Sequence, residues 1–362
     1  MSRPASGGAA DRRSRPRPAT AAAFLVLALL VAAGRLAAQW IPTRSFSVRD
    51  GLAQSQVMAI AHDSHGYLWV ATQGGVSRGD GRRFVTFTTA DGLPDDVVTA
   101  LAPADRGRVF LGTDSGALAL WNGGGFEALT RTGDGAVAGL AWLGGDELLV
   151  GAGDGLWRWS PTGVQLLLGQ PVAAISAPEG PRSDDPWTWP LVLASQLVRT
   201  DGRRLEAVPV AADLEPGETL QAIDAERDGV WLGTDRGRVL RLGRDGRVTA
   251  VAAGPGSVHV VLAARHGGAW VGAGDGLWRV GSDGAVARQP LVATEPGLEI
   301  RTLAEDRDGA LWASPWSGGL YTLDPGGFVV FNRASGFPTT QVWGFLEDRE
   351  GCLWMASEDA GA

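Results

Sequence analysis

The chain has 362 residues and a formal net charge of −8, with 53 glycines and 15 tryptophans but four histidines, one cysteine and no lysine. A lone Cys352 excludes an internal disulfide and a thiolate metal cluster, and so few histidines leave little for acid–base or metal chemistry. Glycine at this level without a collagen period calls for many tight turns, and so for an all-β domain of short strands.

The N-terminal segment carries Arg3, Arg12, Arg13, Arg15 and Arg17 against Asp11, then an apolar run from Ala21 to Ala33, then Gly34-Arg35-Leu36-Ala37-Ala38. A basic start, a short apolar stretch and small residues at a cleavage point predict a secretory signal peptide over residues 1–38. An uncleaved N-terminal membrane anchor is the alternative, although the run is short for a span. The remaining 26 Arg face 39 acidic residues, a net charge near −13. That balance argues against a nucleic-acid partner or an anionic membrane surface.

From residue 39 onward one pattern recurs: an apolar strand, an acidic turn ending in Gly, then a bulky anchor followed by Val/Leu-Gly/Ala-Thr/Ala. The anchors fall at positions 69, 110, 149, 192, 231, 270, 312 and 354, at intervals of 41, 39, 43, 39, 39, 42 and 42. Such regularity marks a repeat architecture. Within a repeat, strand A is a Val-x-x-Ile/Leu run such as Val97–Leu101 or Ile300–Leu303. Turns such as Asp63…Gly66 and Asp306-Arg307-Asp308-Gly309 lead into strand B, which carries the anchor. The Gly or Ala two residues past the anchor leaves room for a neighbouring sheet. Asp154-Gly155 and Asp275-Gly276 then turn the chain into strand C, Leu156–Trp159 or Leu277–Val280, and strand D follows at Phe84–Phe87 or Phe328–Phe331.

Four strands per roughly 40 residues is the blade unit of a β-propeller. The expected fold is an all-β propeller over residues 39–362, with seven complete four-stranded repeats and an eighth begun. Residues 39–341 could make a first ring and 342–362 the start of a further blade or a second ring. The D-to-A connection repeats as well: Phe46-Ser47-Val48-Arg49-Asp50-Gly51-Leu52 matches Phe87-Thr88-Thr89-Ala90-Asp91-Gly92-Leu93. The mature chain therefore opens on a stray D-type strand, which a ring can use to complete its last blade. An eighth repeat that stops after strand B reads as part of a longer protein.

Asp63-Ser64-His65-Gly66-Tyr67-Leu68-Trp69-Val70-Ala71-Thr72 and Asp91-Gly92-Leu93-Pro94-Asp95-Asp96-Val97 resemble the two-component regulator propeller repeat, whose pattern runs Asp-x-x-Gly-x-Leu-Trp-x-Gly-Thr and later Asp-Gly-Leu-Pro-x-x-x-Val. The resemblance covers residues 46–362, with a departure over 160–218. There a segment from Pro178 to Pro190 holds Trp187 and Trp189; a recognition loop and a drifted blade both accommodate it. The resemblance implies a periplasmic sensor region that precedes a β-sandwich, a membrane helix and a cytoplasmic histidine kinase or diguanylate cyclase. No phospho-acceptor His box, ATP-binding Gly-rich motif or Gly-Gly-Asp-Glu-Phe occurs in this chain.

In a propeller the B–C and D–A loops share one face. That places Gln73, Asp114, Asp154, Gln196, Asp235, Asp275 and Trp316 around one rim as candidate ligand-binding residues, with Arg301 and Trp343 facing the same channel. Turn residues chosen for backbone geometry are the competing explanation for the aspartates. Trp316 could serve as a stacking platform for a sugar ring or pack on a neighbouring blade. His62, His65, His259 and His266 form no metal-ligand spacing, and no catalytic residue or cofactor is expected. The leading function is a periplasmic ligand-sensing module, not itself an enzyme. Its partners would be an unidentified small molecule, glycan being the family-level expectation, and a downstream signalling domain, with dimerisation through further C-terminal parts. The alternatives are an envelope protein–protein scaffold and a propeller lyase resembling streptogramin lyase.

Overall fold

The computed structural model describes residues 43–80, 83–133, 135–177, 191–193, 196–210, 213–226, 228–253, 256–289, 298–323, 342–347 and 353–357. Among them are seven four-stranded antiparallel sheets and one two-stranded sheet. Six of the sheets are built from four consecutive strands each and span residues 57–87, 98–128, 137–168, 174–207, 220–253 and 258–289, hereafter blades 1 to 6. Blade 7 takes three strands from Ile300–Glu305, Leu311–Pro315 and Leu320–Leu323 and its outermost strand from Thr43–Phe46. The inner strands adjoin in sequence around a ring, with Ile300–Glu305 next to Val57–His62, so blade 7 meets blade 1.

This arrangement corrects the expected count. Six repeats, not seven, are complete in themselves, because the place of strand D in blade 7 is filled by the N-terminal segment, with Phe46 opposite Leu320. The predicted strand Phe328–Phe331 and the Pro178–Pro190 segment lie outside the described residues. The two-stranded sheet, Val342–Glu347 with Leu353–Ser357, repeats the A–B pairing of a blade and belongs to none of the seven sheets.

The core lies between blades. The strand-B anchors Trp69, Phe110, Leu149, Trp231, Trp270 and Trp312 are all buried, and burying each such side chain stabilises by roughly 1.5–3 kcal/mol. The Gly two residues after the anchor is required by close approach. A Cβ at Gly112, Gly233 or Gly272 would lie 2.3–2.8 Å from the side chain that opens the next blade's inner strand, Val137, Val258 or Ile300. On the A–B turn face, adjacent blades are joined by hydrogen bonds. The Gly107 N–H donates to Ser64 Oγ at 2.7 Å, the Ala263 N–H to Asp224 Oδ2 at 2.7 Å and the Arg265 N–H to Glu305 Oε2 at 2.9 Å. Arg307 Nη2 donates to the Ser64 carbonyl at 2.8 Å and so ties blade 7 to blade 1.

The D-to-A connection is a single 3₁₀ turn with reciprocal capping. Ser47 and Asp50 cap one copy, Thr88 and Asp91 the other, and each ends on a left-handed Gly, Gly51 at φ 96° and Gly92 at φ 101°. Leu52 and Leu93 follow and are buried, which accounts for the recurring Asp-Gly-Leu.

Candidate functional site: the B–C mouth of the ring

Each inner strand pairs with strand B through a register shift after its first residue, except in blade 4. The extra residue of these β-bulges is Met58, Thr99, Ala138, Gln221, His259 and Arg301 in blades 1, 2, 3, 5, 6 and 7. A bulge leaves its extra residue unpaired and re-aims its side chain. These positions lie on the innermost strand at the B–C end, and Ala138, Gln221 and Arg301 are exposed there. They mark the B–C mouth of the ring, the end at which the inner strands meet the B–C turns. The mouth is uneven: Met58, Thr99 and Ala138 make a weakly polar half, while Gln221, His259 and Arg301 on three consecutive blades make a strongly polar one.

The B–C turns are fastened to the same mouth. The N–H of Asp114, Asp235, Gly274 and Trp316 donates to the carbonyl of the residue that precedes the inner strand, Val97, Thr219, Ser257 and Glu299 respectively, at 2.8–3.0 Å. The structure therefore divides the predicted rim set. Asp235 is a turn clamp, since its Oδ1 accepts from the Thr219 N–H at 2.9 Å; that bond is the largest cause holding its carboxyl below the usual range. Asp154 and Asp275 accept from the indoles of Trp157 and Trp278 on their own strand C, at 3.2 and 3.0 Å. Gln73, Asp114 and Gln196 are exposed on their turns. Trp343 occupies the bulge position of the two-stranded sheet, between Val342 and Gly344; its side chain lies outside the described residues.

Arg301 and Trp316 are brought together, and two residues that sequence reading did not single out complete the group. The Arg301 guanidinium lies 3.9 Å from the centroid of the Trp316 ring, which is 51% exposed. Its Nε donates to Glu299 Oε1 at 3.0 Å, and His259 Nε2 lies 3.3 Å from the same oxygen. Burial pushes the His259 imidazole below its ordinary value; Glu299 opposes that shift and Arg301 adds to it. Glu299 is the organiser: its side chain orients Arg301 and its carbonyl holds the Trp316 turn.

Four-stranded blades closed into a ring define the chain as a β-propeller. Residues 51–74 and 336–359 match the family model described as two component regulator propeller, and the chain carries repeats of that family. No curated protein matches the sequence. Among solved structures, the extracellular domain of a putative hybrid two-component system from B. thetaiotaomicron superposes with a TM-score of 0.63 at 18% identity, over 88% of this chain and 44% of that one. The chain thus spans less than half of that domain. A streptogramin B lyase structure gives a TM-score of 0.64 at 15% identity, over 78% of this chain and 97% of the lyase. Virginiamycin B lyase from Staphylococcus aureus gives 0.62 at 14% identity, over 78% and 99%. At these identities the likeness is one of fold.

Proposed function

We propose that this chain is the ligand-sensing propeller of a bacterial signal-transduction protein, exported from the cytoplasm, which binds a small molecule at the B–C mouth and relays its occupancy to an output domain outside this chain. The observation that carries the reading is the mouth itself. A bulge repeated in six blades presents different side chains at equivalent places, and the polar half gathers Gln221, His259, Arg301 and Trp316. An exposed Arg–Trp stack stabilises a ring by only about 0.5–1 kcal/mol, and its exposure leaves it accessible to a ligand. The family match at residues 51–74 and 336–359 and the fold likeness to an extracellular sensor domain support the same reading. The seven sheets close without Val342–Glu347 and Leu353–Ser357, which supports treating that pair as the start of a further blade.

The test is a thermal-shift screen of the purified protein against a library of neutral and charged sugars, amino acids and small acids. Hits should raise the midpoint in the native protein and lose the effect in Trp316→Ala and Gln221→Ala. A screen whose hits are indifferent to both variants would overturn the assignment of the mouth. A propeller lyase is the second reading, favoured by the pairing of His259 with Glu299. It predicts conversion of a bound ligand to product, lost in His259→Ala, where the sensor reading predicts unchanged ligand.

A further inference from the structure

The polar half of the mouth also indicates the chemical class of ligand, an inference that rests on the sensor reading above. Arg301 uses only Nε toward Glu299, and among the described residues neither Nη1 nor Nη2 has a hydrogen-bond partner. The guanidinium is nevertheless held: Glu299 fixes its Nε edge and the Trp316 ring lies against its face at 3.9 Å. A guanidinium fixed on one edge and one face presents its remaining edge as a fork, which matches the two oxygens of a carboxylate. The side chain is 41% exposed, so that edge is accessible.

We propose that the blade 6–blade 7 side of the mouth binds a carboxylate carried next to a flat apolar face. The Nη1–Nη2 edge of Arg301 pairs with both carboxylate oxygens, and the exposed part of Trp316 covers the flat face. Glu299 is a positioning residue. It sits on the Nε edge, where the cation keeps it from confronting the incoming acid. The remainder of the chain carries a net negative charge, so general electrostatic attraction cannot draw in anions. Affinity for a carboxylate must then come from Arg301 itself, which makes a single substitution decisive.

Two matched pairs separate the carboxylate from the ring that bears it: glucuronate against glucose, and benzoate against benzyl alcohol. Binding to the purified protein is read by saturation-transfer NMR and calorimetry. The acids should bind roughly tenfold or more tightly than their neutral partners, as a charge-assisted bidentate pair requires. Arg301→Gln should bring the acids down to the neutral level, Arg301→Lys should restore only part of the difference, and Trp316→Ala should weaken both members of each pair. Unchanged thermal midpoints in these variants would show that folding is intact, which the exposure of both side chains favours. Equal affinity within each pair, acid binding that survives Arg301→Gln, or no binding of either acid at millimolar concentration would each overturn the proposal. If screening hits map to the mouth but are all neutral, the sensor reading stands and the carboxylate assignment falls; if no hit depends on the mouth, the sensor reading falls first.

Discussion

Six residues before a tryptophan anchor on strand B the chain carries Asp or Ala, and the difference decides whether a buried indole has an acceptor. Asp63 receives the N–H groups of His65 and Tyr67 and the indole N–H of Trp69, at 2.9–3.0 Å. Asp306 does the same for Asp308, Ala310 and Trp312, at 2.8–3.2 Å. The equivalent residues before Trp231 and Trp270 are Ala225 and Ala264, and both indole nitrogens are buried without a partner among the described residues. In both blades a strand-C arginine lies over the ring, Arg241 at 5.4 Å and Arg279 at 5.0 Å, as Arg78 lies over Trp69 at 5.7 Å. The backbone at Ala264 already follows the Asp63 turn, since each N–H donates to the carbonyl four residues on at 3.0 Å. Ala264→Asp should therefore supply the missing acceptor and stabilise by about 1 kcal/mol, while Asp63→Ala should cost about 2–3 kcal/mol. Urea titration of the two variants checks both signs; an Ala264→Asp protein less stable than the native would refute the argument.

At the scale of the strand, inner strands differ in what they hide. Asp224 lies half-buried in the inner strand of blade 5 and joins three blades: Ser176 Oγ of blade 4 donates to its Oδ1 at 2.8 Å and the Ala263 N–H of blade 6 to its Oδ2 at 2.7 Å. Burial outweighs these bonds and raises its carboxyl to about 6. A folded-state value above the unfolded one means that the native protein binds more protons between about pH 4 and pH 6. The contribution of Asp224 is thus present below that window and lost as pH rises through it. Asp224→Asn, which stays neutral and keeps an acceptor, should flatten the fall in midpoint across the window and become more favourable relative to native above pH 6. Parallel pH–stability curves for the two proteins would show that the carboxyl is not the titrating group. Sequence alone placed inner strands such as Val97–Leu101 and Ile300–Leu303 but not their bulges. The Val-x-x-Ile/Leu pattern fixes which residues face the neighbouring blades, whereas an unpaired extra residue appears only once strand B is laid beside strand A. For that reason Arg301 and Trp316 were readable as rim candidates, while His259 and Glu299 were not. The rim aspartates could not be sorted from sequence, because Asp in a B–C turn can point inward, cap its own turn as Asp235 does, or receive a strand-C indole as Asp154 and Asp275 do.

For the whole molecule, the question is where the ring is joined. The matching Asp-Gly-Leu segments made a stray outer strand legible at the N-terminus, because Phe46 stands before Ser47 as Phe87 stands before Thr88. The number of self-contained repeats was not legible, since a run such as Phe328–Phe331 has the composition of an outer strand whether or not its place is already taken. In the structure Phe46 is 1% exposed and packs edge-on against Phe84 of blade 1 at 5.4 Å and against Trp312 of blade 7 at 5.5 Å. One side chain thus fills the seam between the first and last blades, and the strand that carries it covers the edge of Leu320–Leu323. Phe46→Ala should cost about 3–5 kcal/mol, as a large buried aromatic truncated to Ala does. The loss should be local before it is global, because only this seam depends on residues so far apart in the chain. Hydrogen exchange followed by mass spectrometry should show Leu320–Leu323 and Phe84–Phe87 losing protection in Phe46→Ala while Gly229–Thr234 of blade 5 keeps it. A peptide spanning residues 43–52, added to a chain that begins at Ser47, should restore protection of Leu320–Leu323 by re-forming the missing strand. If blade 5 exchanges as early as the seam in both proteins, the ring unfolds as one unit and the N-terminal strand is not the point at which it opens.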